Sequence, residues 1–561
     1  MPLGFPGPLD TALAASCDRR RISPTLARRG MIASQHPLVS SAGLRVLADG
    51  GNAVDAAVAA ALVGTVVLPS RCGIGGDLFA IVAGQDRSQE RLAFHGSGIA
   101  PRGASLEFMR EHGEDAPDGR RVLAQQGPLS PAVPGFVAGC FSLLERYGSK
   151  PFAELAQPAI GYAADGFPLS PAEARGIAES ADLLSAYAPS AAIFLPGGEP
   201  LRPGQTLRQS DLARSIALIA NDGPDAFYRG PIAKAIGEYL AANGGALTAD
   251  DFADHETAIS EPLATTYRGY TVYETGLPTQ GFVVLEALNI CEQAPLSEMG
   301  LRSAQAVHTE VSALRLAFAD RRAHAGDPEY VETPLDRLLS KAWAAEQYRA
   351  IGSRYAADID TGVLAPGDTT SLVAVDEDGL MISLIFTLSA GFGSGVVAGD
   401  TGILLTNRAG HCFELEDGHP NIYAPGKRTM HTLNTYLIAD AADAPVLVGN
   451  TPGGDYQPQW NLQTITGLID GDLDTQAAAE QPRWQFDPAT YPIQRGEDFV
   501  LAVEDRLGDE TIGELEAMGY PVRRAGMWGA GGSVQVIARD PETGFLCGGS
   551  DPRAEGMAVG W

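Results

Sequence analysis

The spacing of apolar residues is helical in the early part of the chain and strand-like towards its end. Apolar positions at helical intervals predict a helix over 37–47. A second predicted helix, over 53–67, is rich in Ala and apolar nearly all round, which indicates that it is buried. A glycine-bearing loop over 69–76 and two strands, over 78–83 and 91–94, follow it.

From residue 369 onward, short alternating runs separated by Gly and Asp turns replace the helical spacing that dominates residues 106–355. The predicted strands of this later part are 371–375, 381–387, 436–439, 446–448, 499–503 and 534–538. Residues 1–30 show neither period, and we expect an irregular segment there. Helices and strands in this order predict an α/β layered fold.

The net charge of the chain argues against some classes of binding partner. Forty Lys and Arg against 69 Asp and Glu leave a formal net charge of −29 over 561 residues. A surface this acidic repels phosphate backbones and anionic lipids, so we expect neither nucleic acid nor a membrane as a partner. The longest apolar run, over 56–68, is shorter than the roughly 20 residues that span a bilayer.

The six cysteines are too scattered to form a zinc site. They lie at positions 17, 72, 140, 291, 412 and 547, and no two have the close spacing of metal ligands. Scattered cysteines in a large chain fit a reducing compartment. No apolar segment follows the N-terminal arginine clusters, as it would in a secretory signal, so we expect a cytoplasmic protein.

The strongest local signal is a β-hairpin around Asp378-Gly379, which lies between two apolar runs. A three-residue loop over 377–379 places Thr387 directly opposite Thr369, whereas a two-residue loop places Thr387 opposite Thr370. Gly at the last loop position favours the first register. Two hydroxyl groups would then lie side by side, although threonine pairs across strands are also an ordinary feature of sheets.

Seven segments together carry a resemblance to a known family. They are Gly51-Asn52-Ala53-Val54-Asp55-Ala56-Ala57, Cys72-Gly73-Ile74-Gly75-Gly76-Asp77-Leu78-Phe79, Thr369-Thr370-Ser371-Leu372-Val373-Ala374-Val375, Gly393-Ser394-Gly395-Val396-Val397, Thr401-Gly402-Ile403-Leu404-Leu405, Gly426-Lys427-Arg428 and Pro452-Gly453-Gly454. Each motif alone is weak, but their order and spacing are specific. The chain resembles the γ-glutamyltransferase family of N-terminal nucleophile hydrolases over most of its length.

The resemblance implies a precursor that cuts itself between Asp368 and Thr369. It would leave an α-subunit that ends at residue 368, with residues 31–368 as its folded region, and a β-subunit of residues 369–561. The implied fold is the αββα sandwich, in which helices flank two stacked antiparallel sheets.

The resemblance also implies the chemistry. Thr369 becomes an N-terminal nucleophile whose own α-amino group, with a reference pKa near 7.7–8.0, acts as the base. Thr387 hydrogen-bonds to the Thr369 hydroxyl, and the N–H groups of Gly453 and Gly454 form an oxyanion hole. Without the resemblance, the Pro-Gly-Gly-Asp stretch would be read as a plain turn. An acyl-enzyme ester is released by water or by an amine, and no metal or organic cofactor is needed.

Several positions depart from members of the family that recognise a γ-glutamyl group. Ser97 replaces the arginine that binds the substrate carboxylate, and a serine hydroxyl cannot form a bidentate ion pair. His431 and Thr432 replace a pair of serines, residues 407–412 replace a Gln-x-Asp-Asp stretch, and Ser371 replaces a histidine. These changes argue against glutathione as the preferred substrate.

The same variants resemble the amidohydrolase branch of the family, which includes oxamate amidohydrolase and class IV cephalosporin acylases. The candidate substrate-binding residues are Ser97, Arg408, His431 and Thr432. Arg408 is a candidate to bind a substrate carboxylate, His431 is a candidate hydrogen-bond donor, and Arg71 is a second candidate cation. A structural role for each is equally open. His308 and His324 are expected to be helix-face residues without a chemical part.

The sequence therefore favours a self-processing amidohydrolase acting on a small or acyl amide. One alternative is a true γ-glutamyltransferase and glutathione hydrolase with an altered carboxylate site. Another is a chain that does not process itself and serves as a binding protein. The expected partners are the small-molecule substrate and the two fragments of the chain, and a higher oligomer stays open.

Overall fold

The computed structural model describes residues 3, 23–84, 90–356, 359, 368–487 and 499–561. Its strands are β1 (Thr25–Ala27), β2 (Met31–Ser34), β3 (Asp77–Ala83), β4 (Leu92–Gly96), β5 (Glu114–Asp115), β6 (Arg121–Val122), β7 (Phe167–Pro168), β8 (Thr206–Leu207), β9 (Ala258–Ser260), β10 (Leu263–Tyr267), β11 (Tyr270–Glu274), β12 (Asp368–Val375), β13 (Met381–Ser389), β14 (Tyr436–Ala439), β15 (Pro445–Asn450), β16 (Trp484–Asp487), β17 (Val500–Val503), β18 (Val522–Arg524), β19 (Gln535–Arg539), β20 (Leu546–Ser550) and β21 (Met557–Gly560).

The helices of this part of the chain are mostly short. They are α1 (Pro37–Ala48), α2 (Ala53–Val67), α3 (Leu106–Glu111), α4 (Phe136–Tyr147), α5 (Phe152–Leu155), α6 (Gln157–Asp165), α7 (Pro171–Glu179), α8 (Ala181–Ser185), α9 (Ala188–Phe194), α10 (Ser210–Asp222), α11 (Asp225–Tyr228), α12 (Pro231–Ala242), α13 (Ala249–Ala253), α14 (Gly281–Cys291), α15 (Leu296–Met299), α16 (Ala304–His324), α17 (Leu335–Leu338), α18 (Lys341–Ala350), α19 (Arg408–Cys412), α20 (Tyr456–Ile469), α21 (Thr475–Glu480) and α22 (Asp509–Ala517).

Two seven-stranded sheets organise the molecule, and neighbouring strands in both are antiparallel. Sheet I has the order β21-β2-β12-β13-β3-β4-β9, and sheet II has the order β1-β20-β19-β15-β14-β11-β10. One apolar cluster contains buried residues of both sheets, for example Val373 and Met381 of sheet I with Val448 and Ile537 of sheet II. The fold is therefore a mixed α/β arrangement in which the two sheets share an apolar core. This agrees with the α/β fold class that the sequence predicts.

The helices pack in two groups. Residues of α1, α2, α4 and α6 join those of sheet I in one large apolar cluster, and residues of α14, α16 and α20 join those of sheet II in another. The early helices have the predicted positions: α2 begins and ends at the predicted residues, and Asn52 and Asp55 form a capping box at its start. Every residue of α2 is buried, which explains its all-round apolar composition.

Helix α2 is tied to the predicted hairpin. The Ala53 N–H at the start of α2 donates to Asp376 Oδ2 (2.9 Å), and Asp376 lies at the turn between β12 and β13. A carboxylate at a helix N-terminus satisfies a free N–H and stabilises the helix. The hairpin that carries the two threonines is thus anchored to the most buried helix of its layer.

The regions before and after residue 368 share both sheets. Sheet I takes β2, β3, β4 and β9 from the first region, and sheet II takes β1, β10 and β11 from it. The remaining strands of both sheets come from the second region. We therefore expect the two fragments of a cleaved chain to stay together, because separating them would tear both sheets apart. The predicted domain limits themselves stay a prediction.

One expectation about secondary structure needs correction, and the helix-dominated region also contains strands that the sequence did not predict. Within residues 1–30, Thr25–Ala27 is not irregular but pairs with β20 at the edge of sheet II. Its partner is more than 500 residues away, so local periodicity could not reveal it. Within the helix-rich region, β9, β10 and β11 are strands; β10 and β11 form a hairpin about Arg268-Gly269, where both φ angles are positive. The other residues of 1–30, apart from Leu3 and residues 23–30, lie outside the described residues.

The cysteines of the described chain are free thiols, and all five are buried; Cys17 lies outside the described residues. The described residues include no group of three or more His, Cys, Asp or Glu side chains that could hold a metal ion. Among the helices described above, none is long and apolar enough to cross a membrane. The cytoplasmic location stays a prediction.

Candidate active site

From Thr370 to Val375 the hairpin of β12 and β13 has the register that the three-residue loop predicts, but the predicted pair of Thr369 with Thr387 is not formed. Val375 pairs with Met381 and Thr370 pairs with Phe386, while Gly379 has the left-handed φ of 81° that the loop requires. The register shifts between Asp368 and Thr370, where Asp368 pairs with Ser389. Thr369 therefore lies at a β-bulge, a feature that re-aims a side chain at the end of a strand.

A small hydrogen-bond network connects the two threonines with the peptide bond before Thr369. The Thr369 hydroxyl donates to Thr387 Oγ1 (3.1 Å), and the Thr387 hydroxyl donates to the carbonyl oxygen of Asp368 (2.6 Å). The Ser389 N–H also donates to Thr387 Oγ1 (2.8 Å). Because the one proton of Thr387 is used on the Asp368 carbonyl, Thr387 can only accept from Thr369. The Thr387 hydroxyl therefore binds both the Thr369 hydroxyl and the carbonyl oxygen of the preceding residue.

The glycine-rich segment before β3 allows the backbone to approach this site. Asp77, the first residue of β3, pairs with Thr387. A Cβ atom on Gly76 would come within 2.1 Å of the Thr387 carbonyl oxygen, closer than any side chain could tolerate. The glycine at this position is therefore required by the closeness of the two strands at the candidate nucleophile.

A buried charged cluster surrounds Asp77. Arg408 Nε donates to Asp77 Oδ2 (3.1 Å), and His431 Nε2 lies 3.0 Å from the same oxygen. The Leu433 N–H donates to His431 Nδ1, so Nε2 carries the proton and donates to Asp77. Arg408 also reaches Thr432 Oγ1 at 3.5 Å. The structure thus brings together three of the four predicted substrate-binding residues around a carboxylate that sequence reasoning did not single out.

The pKa values of this cluster follow from burial. Burial, reinforced by the Arg408 charge, lowers the pKa of His431 to about 4, so the imidazole is neutral at neutral pH. Burial alone would raise the pKa of Asp77, but His431 and Arg408 together hold it below its ordinary value. Arg408, the candidate residue for binding a substrate carboxylate, forms a buried ion pair with Asp77 in the uncleaved chain. Its role toward a substrate stays a prediction.

Acidification should destabilise the protein through its buried histidines. Burial also lowers the pKa of His95 to about 4, well below that of a histidine in the unfolded chain. The unfolded state therefore binds the proton first, and stability that is complete above about pH 6.5 is lost as the pH falls toward 4. Between pH 7 and pH 5, His95 should account for up to about 2 kcal/mol of the unfolding free energy.

Urea unfolding at these two pH values, with His95→Gln as the variant, measures that contribution. Both chains should carry Thr369→Ala, which keeps the polypeptide in one covalent state. The variant should lose less stability on acidification than its parent. Equal losses in the two chains would contradict the assignment to His95.

The Gly453-Gly454 loop joins the same region through a glutamine. Gln280 Nε2 donates to the Gly454 carbonyl (3.0 Å) and to the carbonyl of Thr432, and Arg321 contacts both Gln280 Oε1 and Asp455 Oδ1. The φ angles of Gly453 and Gly454 are 132° and 58°. A Cβ atom on Gly453 would also come within 2.3 Å of the Trp460 ring. Both positions therefore favour glycine, and their role as an oxyanion hole stays a prediction.

Ser97 follows the end of β4, beside the first residues of β3. Its carbonyl oxygen accepts a hydrogen bond from Arg428 Nε (3.3 Å). The Ser97 hydroxyl is buried, and among the described residues no hydrogen-bond partner lies within its reach. Among the described residues no hydrogen bond joins Ser97 to Thr369 or Thr387, and its substrate-binding role stays a prediction.

Three further histidines, His308, His324 and His411, differ in their surroundings. His308 is buried on α16, where its ring nitrogens contact the Tyr520 hydroxyl (2.7 Å) and the Gly352 carbonyl (2.9 Å). His324 lies in the last turn of α16. His411 lies near the nucleophile, with Nδ1 3.0 Å from Ser389 Oγ, and burial holds its pKa well below the ordinary value. Ser389, with a positive φ of 86°, therefore links His411 to Thr387.

Sequence reasoning missed Asp77, Gln280 and Arg321 as parts of the site. Asp77 is part of the glycine-rich motif, and its position at the start of a strand is the signal that could have identified it as a site residue. Gln280 and Arg321 lie in the helix-rich region and meet Thr432 and Asp455 only in three dimensions. No local pattern could have assigned them.

The chain is similar to known proteins over nearly its whole length. A profile of the gamma-glutamyltranspeptidase family matches residues 39–561. The chain is 36% identical over 536 residues to the glutathione hydrolase-like YwrD proenzyme of Bacillus subtilis (strain 168), covering 94% of this chain and 98% of that protein. It is 34% identical over 546 residues to the oxamate amidohydrolase proenzyme of Klebsiella pneumoniae, covering 96% and 100%. The cephalosporin acylase from Bacillus halodurans has a similar structure, with a TM-score of 0.88, 33% identity and 98% coverage of both chains.

Proposed function

Because the chain belongs to the gamma-glutamyltranspeptidase family and is an enzyme of its hydrolase and acyltransferase type, we propose that it is a self-processing amidohydrolase with an N-terminal threonine. Thr369 is the nucleophile, and a small or acyl amide is the substrate. The proposal rests on two hydrogen bonds: the Thr369 hydroxyl donates to Thr387 Oγ1, and the Thr387 hydroxyl donates to the Asp368 carbonyl. They connect the Thr369 hydroxyl with the peptide bond that the resemblance marks for cleavage.

Self-cleavage begins when the Thr369 hydroxyl oxygen attacks the carbonyl carbon of Asp368. The new C–O bond replaces the C–N bond, the hydroxyl proton passes to the released amino group, and an ester joins Asp368 to Thr369 Oγ1. Thr387 donates to the carbonyl oxygen on which negative charge develops, so it stabilises the tetrahedral intermediate. Water then hydrolyses the ester and leaves Thr369 with a free α-amino group.

That amino group is the base for turnover. With a reference pKa of about 7.7–8.0, it can accept the hydroxyl proton near neutral pH, which a peptide nitrogen cannot. The Thr369 oxygen then attacks the carbonyl carbon of the substrate amide, the C–N bond breaks, and the amine leaves with the proton that the α-amino group has taken up. The acyl-enzyme ester that remains is released by water or by an amine. In this proposal the N–H groups of Gly453 and Gly454 stabilise the oxyanion. Support comes from their positive φ angles and from Gln280, which binds the Gly454 carbonyl.

The arrangement of layers in this proposal is the αββα sandwich of N-terminal nucleophile hydrolases. Support comes from the apolar cluster shared by the two sheets and from the two further clusters in which each sheet packs against helices. Thr369 is the second residue of β12, an inner strand of sheet I.

The substrate is proposed to be an amide other than glutathione. Ser97 stands where γ-glutamyl-specific members carry an arginine, and Arg408 is paired with Asp77. The relatives named above include a protein called oxamate amidohydrolase and one called cephalosporin acylase, which fits an acyl group of another kind. Hydrolysis is the proposed outcome, with transfer to an amine as the competing one.

A panel of amides tests this assignment. The purified, self-cleaved protein should hydrolyse simple acyl amides, including oxamate, with a higher kcat/KM than a γ-glutamyl anilide. The reverse preference would favour the γ-glutamyltransferase alternative. A chain that neither cleaves itself nor hydrolyses any member of the panel would contradict the enzymatic proposal and favour the binding-protein alternative.

A further inference from the structure

The two backbone N–H groups of the Gly453-Gly454 loop have no acceptor within the part of the chain that the structure describes. The carbonyl groups of the same loop do have partners. The Tyr456 N–H donates to the Gly453 carbonyl (3.0 Å), and the Gln457 N–H donates to the Gly454 carbonyl (3.2 Å). The loop is therefore bound to the protein through its carbonyls, and its N–H groups are available to a ligand.

Two successive glycines do not fix the direction of their own N–H groups. Gly453 and Gly454 have φ angles of 132° and 58°, and a glycine backbone reaches many other conformations at little cost. An oxyanion hole works because its donors already point to the place where negative charge develops. Contacts from other parts of the chain must therefore hold these two residues.

Gln280 supplies one of these contacts. It is fully buried and immediately precedes α14, and its Nε2 donates to the carbonyls of Gly454 (3.0 Å) and Thr432. The Gly454 carbonyl belongs to the peptide group that follows Gly454, so the bond limits rotation on that side of the residue. Gln280 thereby joins the loop to the segment that carries Thr432.

Arg321 determines how the Gln280 amide is turned. Arg321 lies in the last turn of α16, and its Nη1 contacts both Gln280 Oε1 and Asp455 Oδ1. A guanidinium only donates, so the atom of Gln280 that faces it is the amide oxygen, and the amide nitrogen faces the two carbonyls. The other contact is an ion pair with the residue that follows Gly454. Arg321 thus acts on the loop at two points.

The ion pair of Arg321 with Asp455 is deeply buried. The Arg321 side chain is 5% exposed and that of Asp455 is not exposed at all, and the guanidinium lies 4.8 Å from the centre of the Phe318 ring. Both charges lose their hydration on burial, which offsets much of their attraction, so such a pair is a weak source of stability. Its position directly beside the glycine loop suggests a role in positioning that loop.

We propose that Arg321 is a positioning residue for the oxyanion hole. Through Gln280 and Asp455 it holds the N–H groups of Gly453 and Gly454 towards the oxyanion that forms during turnover. This inference rests on the proposed function, because it requires the attack of Thr369 on a substrate amide. In self-cleavage the Thr387 hydroxyl donates to the reacting carbonyl instead. Turnover should therefore depend on Arg321 much more than self-cleavage does.

The first test compares turnover with self-cleavage in Gln280→Met, which removes the amide group and keeps a side chain of similar length. Its kcat on oxamate, and on the simple acyl amide that the wild type hydrolyses fastest, should fall about ten- to a hundredfold, because the oxyanion donors lose their alignment. KM should stay within about twofold and the rate of fragment appearance within about threefold, since neither depends on the loop. A merely structural role would slow both reactions together or leave kcat unchanged.

Variants of Arg321 test the same claim at the cation. Arg321→Gln should lower kcat in the way that Gln280→Met does, whereas Arg321→Lys, which keeps a positive charge and several donors, should retain part of the activity. The double variant Gln280→Met/Arg321→Gln should lose less kcat than the product of the two single effects, because the two residues share a contact. Effects that multiply fully would overturn the claim that Arg321 acts through Gln280.

Arg315→Lys is the matched control. Arg315 is also buried on α16, but its guanidinium donates to the Ala356 carbonyl and not to the glycine loop. The control should keep the wild-type ratio of turnover to self-cleavage even if its stability falls. Because Gln280→Met leaves no new charge of its own in the core, it also keeps the test decisive if Arg321→Gln does not fold.

The failures of the two proposals can be told apart. If the wild-type enzyme cleaves itself and hydrolyses amides, and Gln280→Met and Arg321→Gln keep its kcat, the role of Arg321 is overturned and the amidohydrolase proposal stands. A wild-type chain that hydrolyses no amide of the panel would overturn both, since the loop would then have no oxyanion to bind.

Discussion

Thr369→Ala should leave the protein as one 58.7 kDa polypeptide after prolonged incubation, because the substitution removes the oxygen that attacks Asp368. Amide hydrolysis should fall more than about 10⁴-fold, since both the nucleophile and the new α-amino group are lost together. Intact mass under denaturing conditions and hydrolysis of simple amides measure the two effects. Folding should be retained, because alanine fits the space of the buried threonine and leaves the hairpin register unchanged.

Thr369→Ser is the matched control, because it keeps the hydroxyl group and removes only a methyl group. The serine chain should still cleave itself between residues 368 and 369. Cleavage of the alanine chain at the same bond would exclude Thr369 as the nucleophile. Loss of cleavage in both chains, with the fold intact by circular dichroism, would also contradict a hydroxyl mechanism.

Thr387→Val should slow self-cleavage by about 10²–10³-fold, the usual effect of removing one donor to a developing oxyanion. Valine has nearly the shape of threonine but cannot donate to the Asp368 carbonyl or accept from Thr369 and Ser389. The rate at which the fragments appear measures the change. A buried Ser389 N–H would also lose its partner, which should lower stability by about 1–3 kcal/mol.

Thr387→Ser separates these effects from packing, because it keeps every hydrogen bond and loses one methyl group. It should cleave itself at a rate within about tenfold of the wild type. A valine chain that processes as fast as the serine chain would show that the Thr387 hydroxyl has no part in the reaction.

The hairpin and its register could be predicted because the relevant information is local. Gly379 at the last loop position selects the three-residue turn, and that turn determines which residues face each other. The helices α1 and α2 were predictable for the same reason, since apolar periodicity and the Asn52–Asp55 cap lie within one short segment.

The charged surroundings of the site could not be predicted in this way. Arg408 and Asp77 form their ion pair across 331 positions of sequence, so Arg408 looked like a free cation for a substrate. Gln280 connects Thr432 with Gly454 from a region in which the sequence shows mainly helical periodicity. Such contacts join residues that are far apart in the sequence, and hydrophobic periodicity does not encode them.

The role of the glycines in the sequence motifs could be predicted only in part. Their presence in the sequence indicated close backbone approach, but not what approaches. The structure identifies the neighbours: the Thr387 carbonyl lies against Gly76, and the Trp460 ring lies against Gly453. Both neighbours belong to elements that bear the candidate catalytic residues or follow them, so these glycines are explained by the construction of the site.

The most direct test of the account is the intact mass of the purified wild-type protein under denaturing conditions, combined with N-terminal sequencing of the fragments. We expect two fragments of about 38 and 20 kDa, in proportion to their lengths, with the smaller one beginning at Thr369. A single 58.7 kDa chain after long incubation, or a cut at another bond, would contradict the proposal that Thr369 is an N-terminal nucleophile.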